Sequence, residues 1–261
     1  MKVAIFPIGI ESSSGRQYSP VMDDGRFHYI PIPEFSLKKQ ADVKKLGNIL
    51  YVHKRLINNK YDIRTYEHIE VEKWPEYPNL TTLGDFLENR IYLGAPIRSY
   101  IPHYDPEFIT CTYGEGSNNK AKTLSELRKN DMLAFYMTLA RPIQRKVLGK
   151  FLVGYFIIEE VFDYRFSGES LDYHAVPERI LHNFHVIRTD LKPVIAAGSV
   201  SESRLFRKAL QFTDNTNWEI LPDILEQIEW PFDTTVLGRG TRILRGQAAE
   251  IFRAFLEAYD G

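Results

Sequence analysis

The sequence has a single cysteine, Cys111, and almost no excess of one charge. One cysteine excludes an internal disulfide bond and is typical of a protein in a reducing compartment. The net charge of −1 argues against binding to duplex DNA by bulk electrostatics, because such binding needs many basic residues that neutralise phosphates. Any contact with a nucleic acid would therefore have to be local.

Long apolar runs and targeting patterns are also lacking. No run approaches the roughly 20 apolar residues that span a bilayer, and the first residues do not have the layout of a secretory signal peptide. We therefore expect a cytoplasmic protein without membrane contact. The Ser-Gly stretch at 12–15 lacks the glycine and lysine spacing of a P-loop, which argues against nucleoside triphosphate hydrolysis.

The chain mixes strand and helix patterns without a repeat, and we predict a single α+β domain over residues 1–261. Its core would be a mixed β-barrel that includes about 125–165, flanked by helices, with a helical C-terminal part at about 200–261. Apolar runs predict strands at 2–10, 132–137, 151–161 and 193–198. Helical spacing is found at 42–58, 81–89, 123–129, 178–184, 203–212, 222–228 and 247–259.

The densest polar chemistry lies in residues 102–116. His103, Asp105 and Glu107 alternate, and Pro106 favours an extended Asp105, so their side chains would share one face of an extended backbone. Such groups could ligate a divalent metal or supply an acid and a base. The alternative is structural, with Asp105 capping a turn and the other two in surface hydrogen bonds.

Hydroxyl groups follow in the same block and on the strands after it. Thr110, Thr112 and Tyr113 could bind base edges or phosphate oxygens, and Tyr136 and Tyr155 could stack on a base or fill the end of a barrel. The predicted ligand-binding residues are therefore His103, Asp105, Glu107, Thr110, Thr112, Tyr113, Tyr136 and Tyr155.

No catalytic residue can be assigned from the sequence. Cys111 lies eight residues after His103, but a nucleophilic thiol needs a lowered pKa and a base within reach, and the sequence shows neither. His182 and His185 lie three residues apart and could meet on one helix face, yet no third ligand is identifiable. We therefore predict no metal and no cofactor.

Two basic segments are candidates for phosphate binding. One holds Arg141 and Arg145 together with Lys146 and Lys150. The other holds Arg239, Arg242 and Arg245 beside two glycines. From these we predict phosphate contacts by Arg141, Arg145, Arg239 and Arg242, and the alternative is solvated surface charge.

Several short motifs resemble one family, the nucleotide-modification-associated domain, type three. The resemblance begins in Val3–Ile10, Pro20–Gly25 and Phe27–Glu34. It continues in His103–Phe108, Thr112–Gly114, Leu127–Tyr136, Val153–Phe156, Asn183–Arg188 and Ser203–Leu205, in the same order. The resemblance implies an association with phage and bacterial enzymes that modify DNA bases, and it brings no established catalytic residues.

A looser resemblance concerns the fold. A short helix, an Asn130-Asp131 turn, the strand Leu133–Tyr136 and the later strand Gly154–Phe156 are similar to PUA-like barrels of the EVE and ASCH type. That resemblance implies a pocket for a modified or flipped base.

Three functions follow as hypotheses. The leading one is recognition of a nucleotide or a modified base in a polar and aromatic pocket, with nucleic acid or nucleotide as the partner and base-modification enzymes as possible further partners. The second is an enzyme that acts on a modified nucleotide through His103, Asp105 and Glu107 by acid–base or metal chemistry. The third is a structural partner in a modification complex.

Overall fold

A computed structural model of the chain describes residues 1–10, 17–33, 66–87, 91–92, 95–100, 102–116, 118–142, 144–166, 176–181, 183–187, 192–238 and 240–261. Its strands are β1 (Lys2–Pro7), β2 (Ser19–Pro20), β3 (Ile32–Pro33), β4 (Ile91–Tyr92), β5 (Ala95–Pro96), β6 (Pro102–His103), β7 (Thr112–Glu115), β8 (Met132–Ala140), β9 (Val147–Asp163), β10 (Val194–Gly198), β11 (Arg204–Gln211) and β12 (Arg242–Arg245). Its helices are α1 (Asn119–Ser125), α2 (Phe184–Ile187), α3 (Pro222–Leu225) and α4 (Gly246–Ala258). Short 3₁₀ turns lie at Tyr66–His68, Leu83–Phe86, Ile97–Ser99 and Glu178–Ile180. The predicted α+β class is confirmed.

One large mixed sheet organises these elements. Its strands run in the order β12-β1-β8-β9-β10-β7, with β11 paired to β9 and β2 paired to β8. β1 and β8 are parallel, whereas β9 is antiparallel to β8, β10 and β11. β9 is long enough to join the two halves of the sheet, because its first part pairs with β8 and its last part with β10.

The sheet curls around one apolar interior. Phe6 of β1 and Phe135 of β8 share this interior with Tyr113 of β7 and Ala196 of β10, although these strands lie far apart in the sheet order. The ring centroids of Phe6 and Tyr113 are 5.5 Å apart. Among the described strands, however, no pairing joins β7 to β12, so the curled sheet is not closed and the predicted PUA-like barrel is not confirmed.

The outer face of β1, β8 and β9 carries a second apolar layer. Alternate residues of these strands, including Ile5, Tyr136 and Tyr155, pack there against Phe252 and Leu256 of α4. The helical spacing in the last residues of the sequence therefore predicted α4 correctly, because its apolar stripe covers the sheet.

The prediction of a helical C-terminal part at about 200–261 is only partly correct. Residues 203–212, predicted as a helix, form strand β11 on the free edge of β9. Phe206 and Ala209 pack into opposite apolar layers, one on each face of the strand, and the register shifts between Leu205 and Leu210. A strand buried on both faces thus has buried residues three apart, a spacing that imitates a helix.

Other predicted elements have mixed outcomes. The strands predicted at 2–10, 132–137, 151–161 and 193–198 are found as β1, β8, β9 and β10. The helix predicted at 81–89 is a 3₁₀ turn that Thr82 caps by accepting from the Asp85 N–H, and the prediction at 42–58 lies outside the described residues. None of the helices in the described part of the chain is both long and apolar enough to cross a membrane.

Candidate functional site

Two imidazoles and one carboxylate meet at the edge of the sheet. His103 ends β6, Asp105 lies between β6 and β7, and His185 comes from α2. One ligand atom from each of the three side chains lies within 4.8 Å of the other two, and Oδ2 of Asp105 is 3.1 Å from Nε2 of His185. The His185 and Asp105 side chains are only 12% and 5% exposed, and His103 is 3% exposed. We call these three residues the His–Asp–His centre.

Backbone pairing places His103 and Asp105. Ile32 of β3 pairs with His103, which fixes the end of β6. Glu107 and Thr112 then exchange two backbone hydrogen bonds, of 2.8 and 3.0 Å, which folds the intervening residues back onto β7. As a result Oδ1 of Asp105 accepts a 2.8 Å hydrogen bond from the N–H of Gly114 on that strand.

Asn183 connects the two halves of the centre and is completely buried. Its Nδ2 donates to Oδ1 of Asp105 at 3.2 Å, and its Oδ1 accepts from the His185 N–H at 3.0 Å. These hydrogen bonds compensate the free-energy cost of burying the amide. Because they join Asp105 to His185, they also fix the carboxylate relative to the start of α2.

Gly114 allows this close approach. A Cβ at that position would lie 2.4 Å from Oδ1 of Asn183 and 2.9 Å from Cδ2 of His185. Both distances are far shorter than a van der Waals contact, so any other residue at 114 would push α2 away from β7.

Aromatic rings surround the centre on one side. The His103 ring lies 4.6 Å from the ring of Phe184 and 5.0 Å from that of His185, between centroids. The hydroxyl of Tyr29 is buried beside Asp105. Burial, and next the Asp105 carboxylate, raise the pKa of Tyr29 well above its usual value, so its hydroxyl stays protonated at neutral pH.

Glu107 and Thr110 do not join the His–Asp–His centre. The Glu107 carboxylate accepts from the N–H groups of Ile109 and Thr110, each at 2.7 Å, and from the Thr110 hydroxyl. Both carboxylate oxygens are thus used to cap the turn. The alternation that predicted one shared face for His103, Asp105 and Glu107 fails at Glu107, because the chain turns there.

Thr112 and Tyr113 point in opposite directions from β7. The Thr112 hydroxyl lies 3.5 Å from Nδ2 of Asn183, next to the centre. Tyr113 instead packs in the sheet interior and donates its hydroxyl hydrogen to Glu115. Of these two predicted ligand-binding residues, only Thr112 is placed beside the centre.

Tyr136 and Tyr155 lie in the outer apolar layer. Tyr136 is fully buried and donates to the carbonyl oxygen of Gly238 at 2.8 Å, and Tyr155 is 5% exposed beneath the Arg204 guanidinium. Neither ring presents an open face for stacking on a base, and both belong to a different layer from the centre.

The predicted phosphate-binding arginines lie on other elements. Arg141 forms an ion pair with Asp23, and Arg145 donates to Oε1 of Gln17 at 3.2 Å. The Arg242 guanidinium lies 5.6 Å from the Phe232 ring, and Arg239 is outside the described residues. Phosphate binding by these residues stays a prediction.

Cys111 lacks the setting of a nucleophile. Burial raises the pKa of its thiol, which lies 3.5 Å from the carbonyl oxygen of Phe108. A thiol in such surroundings stays protonated and unreactive at neutral pH.

Sequence reasoning missed the contributions of Asn183, His185 and Tyr29. His185 had been noted with His182, which lies outside the described residues, but its partners are about 80 residues earlier in the chain. The usable signal was the resemblance itself, because Asn183–Arg188 and His103–Phe108 are both among its motifs.

Comparison with known families agrees with this signal. The family described as nucleotide modification associated domain 3 matches residues 2–236, which include all three residues of the centre. Comparisons with curated proteins and with solved structures find no match. The chain belongs to the nucleotide modification associated domain 3 family.

Proposed function

We propose that this protein is an enzyme of nucleotide modification and that the His–Asp–His centre is its reacting site. Family membership links the chain to nucleotide modification, and the nucleotide or its base is therefore the substrate class. The observation that carries the proposal is the 3.1 Å approach of Nε2 of His185 to Oδ2 of Asp105 in a buried setting.

The arrangement supports chemistry better than passive recognition. A carboxylate that faces an imidazole orients its ring and stabilises the imidazolium that forms when the imidazole takes up a proton. Asn183 and the Gly114 N–H hold the opposite oxygen of Asp105, so the carboxylate cannot turn away from His185. Such support is what a reacting group needs to keep its geometry.

A nucleotide would approach the centre at His185, whose side chain is 12% exposed. Thr112 and Asn183 are fully buried and would support the centre without contacting a base. This role does not require a PUA-like barrel, because the centre lies on the 103–114 segment and on α2 and not on the β8–β9 pair.

A protein that recognises a base without converting it would need exposed aromatic rings for stacking. The stacking walls expected for it were Tyr136 and Tyr155, and both rings are buried in the outer apolar layer. We therefore place turnover first.

The test is a substrate panel with matched variants. Purified protein is incubated with normal and modified nucleosides, nucleotides and short oligonucleotides, and products are detected by mass spectrometry. Asp105→Asn and His185→Gln should lower turnover by about 100-fold or more, the usual scale for losing a general acid or base. Asp233→Asn and His68→Gln, the same substitutions at exposed positions, should not change it.

The same panel separates the alternatives. A nucleotide that raises the melting temperature without being converted would show a recognition protein instead of an enzyme. Conversion that survives Asp105→Asn and His185→Gln would place the reacting site elsewhere.

A further inference from the structure

We infer that the His–Asp–His centre is a binding site for one divalent first-row transition-metal ion. The inference rests on the proposed function and on the same centre, and it changes one role: with an ion bound, Asp105 and His185 would act as its ligands and not as a proton-transfer pair. The alternation in the sequence pointed to His103, Asp105 and Glu107, whereas the structure replaces Glu107 with His185.

The donor set is the first argument. Two imidazoles and one carboxylate supply two nitrogens and one oxygen, a combination that suits zinc, iron and related ions. Magnesium and calcium prefer sites made of oxygen ligands. The centre should therefore discriminate between these two groups of ions.

The distances are the second argument. Two ligand atoms that each lie about 2.0–2.2 Å from one metal ion are roughly 2.8–3.1 Å apart at a bond angle of 90° and roughly 3.3–3.6 Å apart at the tetrahedral angle. Oδ2 of Asp105 and Nε2 of His185 are 3.1 Å apart, and the His103 donor lies within 4.8 Å of both. The three donor atoms therefore lie around one point, and the Asp105–His185 pair is already at the spacing of two metal ligands.

The outer partners of the ligands are the third argument. Metal-binding carboxylates are usually held by hydrogen bonds on the oxygen that faces away from the ion. Oδ1 of Asp105 accepts from the Gly114 N–H at 2.8 Å and from Asn183 at 3.2 Å, which leaves Oδ2 directed at His185. Asn183 also accepts from the His185 N–H and so fixes the start of α2.

A structural role alone explains less of this geometry. A single His185–Asp105 contact would be enough to fasten α2 to the segment before β7. The approach of His103 from β6 to the same point, with its ring 5.0 Å from that of His185, adds a second imidazole that such a fastening does not need.

The test measures metal binding without any nucleotide. Protein is stripped with EDTA and titrated calorimetrically with Zn²⁺, Mn²⁺ and, under anaerobic conditions, Fe²⁺, with Mg²⁺ and Ca²⁺ for comparison. Elemental analysis after dialysis gives the stoichiometry. We expect one transition-metal ion per chain and no comparable binding of Mg²⁺ or Ca²⁺.

Single substitutions then locate the site. His103→Gln, Asp105→Asn and His185→Gln should each weaken Zn²⁺ binding by more than the roughly 10–100-fold that is typical for losing an outer partner. His68→Gln and Asp233→Asn, both at exposed positions, should leave it unchanged. Circular dichroism checks that each variant is folded, and because His103 and His185 lie on different segments, the loss of one variant to misfolding leaves the other.

One result would overturn the inference: wild-type protein that binds no more Zn²⁺ than the three ligand variants do. Nucleotide conversion by such a protein would leave the proposed function standing without a metal. Conversely, metal binding with no conversion of any nucleotide would retain the metal site and remove the proposed enzyme function.

Discussion

Two buried polar clusters in this protein differ in what their side chains bind. In the outer apolar layer, the Lys150 ammonium donates to the carbonyl oxygens of Leu237 and Gly238, and the Tyr136 hydroxyl donates to the same Gly238 oxygen. The Trp218 ring lies 5.1 Å from the ammonium. In the His–Asp–His centre, ionisable side chains face each other instead.

The outer cluster has the partners of a structural anchor, whereas the His–Asp–His centre has those of a functional site. In the outer cluster, the side chains satisfy carbonyl oxygens of the chain and so fasten residues 237–238 to the sheet. In the centre, the Gly114 N–H holds one oxygen of Asp105, and the other oxygen is directed at an imidazole. Burial of polar groups alone therefore does not identify a functional site, and the identity of their partners does.

The sharpest contrast comes from removing one charged group in each cluster. Asp105→Asn should weaken Zn²⁺ binding by more than about 100-fold, since the loss of a ligand exceeds the loss of an outer partner. Lys150→Met should leave Zn²⁺ affinity unchanged but lower the free energy of unfolding by about 1–3 kcal/mol, because buried carbonyl oxygens lose their donor. Calorimetric titration and urea unfolding measure the two effects. Equal loss of metal affinity in both variants would remove the distinction.

A second contrast uses two glycines. Gly114→Ala places a methyl group 2.4 Å from Oδ1 of Asn183, so we expect a loss of about 1–3 kcal/mol in unfolding free energy together with weaker metal binding. Gly238→Ala meets no atom within 4 Å and serves as the matched control, with little effect on either quantity. Urea unfolding measures the change in stability, and calorimetric titration with Zn²⁺ measures the change in metal binding. If Gly114→Ala behaves like its control, the close packing of α2 on β7 does not shape the centre.

Some strands and helices of this fold could be predicted from the sequence, and others could not. β1, β8 and β9 were predictable because each is a continuous apolar run, and α4 was predictable because its apolar residues follow the helix period. β11 was not, because its buried residues Phe206 and Ala209 lie three apart, as in a helix.

The site was predictable only in part for a related reason. His103 and Asp105 stand out as a dense polar block, but the contacts of Asp105 with Asn183 and His185 depend on the tertiary packing of α2 against β7. No local pattern encodes a contact between residues about 80 positions apart. Likewise, Tyr136 was predicted to stack on a base, and the sequence gives no sign that its hydroxyl binds Gly238, 102 residues later.

Tyr136→Phe tests the anchor directly. The loss of the hydroxyl should lower the free energy of unfolding by about 0.5–1.5 kcal/mol, the net value of one hydrogen bond. The effect stays modest because the Gly238 carbonyl oxygen still accepts from Lys150. Urea unfolding gives the value. Should the substitution leave stability intact and abolish nucleotide binding, Tyr136 would be a ligand-binding residue through its hydroxyl, and the anchor role would be wrong.

His28 offers a further, half-buried imidazole and the smallest expected effect. It stacks on Trp74 with ring centroids 4.3 Å apart. Burial lowers its pKa below the ordinary value of 6.5, against a weaker opposing effect of Glu72. The folded protein therefore favours the neutral ring.

The sign of its pH dependence follows from linkage. The unfolded chain binds the proton more tightly, so the stability from His28 is complete above pH 6.5 and is lost as the pH falls through its lowered folded pKa. Wild type should lose more unfolding free energy between pH 7 and pH 5 than His28→Gln does. Urea midpoints at several pH values measure this difference, and parallel curves would refute it.

The most direct test of the central claim, that residues of two distant segments act as one centre, is a double-mutant cycle on nucleotide turnover. Asp105→Asn, His185→Gln and the double variant are compared on the nucleotide that wild type converts. If the two side chains work as a unit, the double variant should be no slower than the slower single variant. Losses that multiply in the double variant would show two independent contributions and contradict a single His–Asp–His centre.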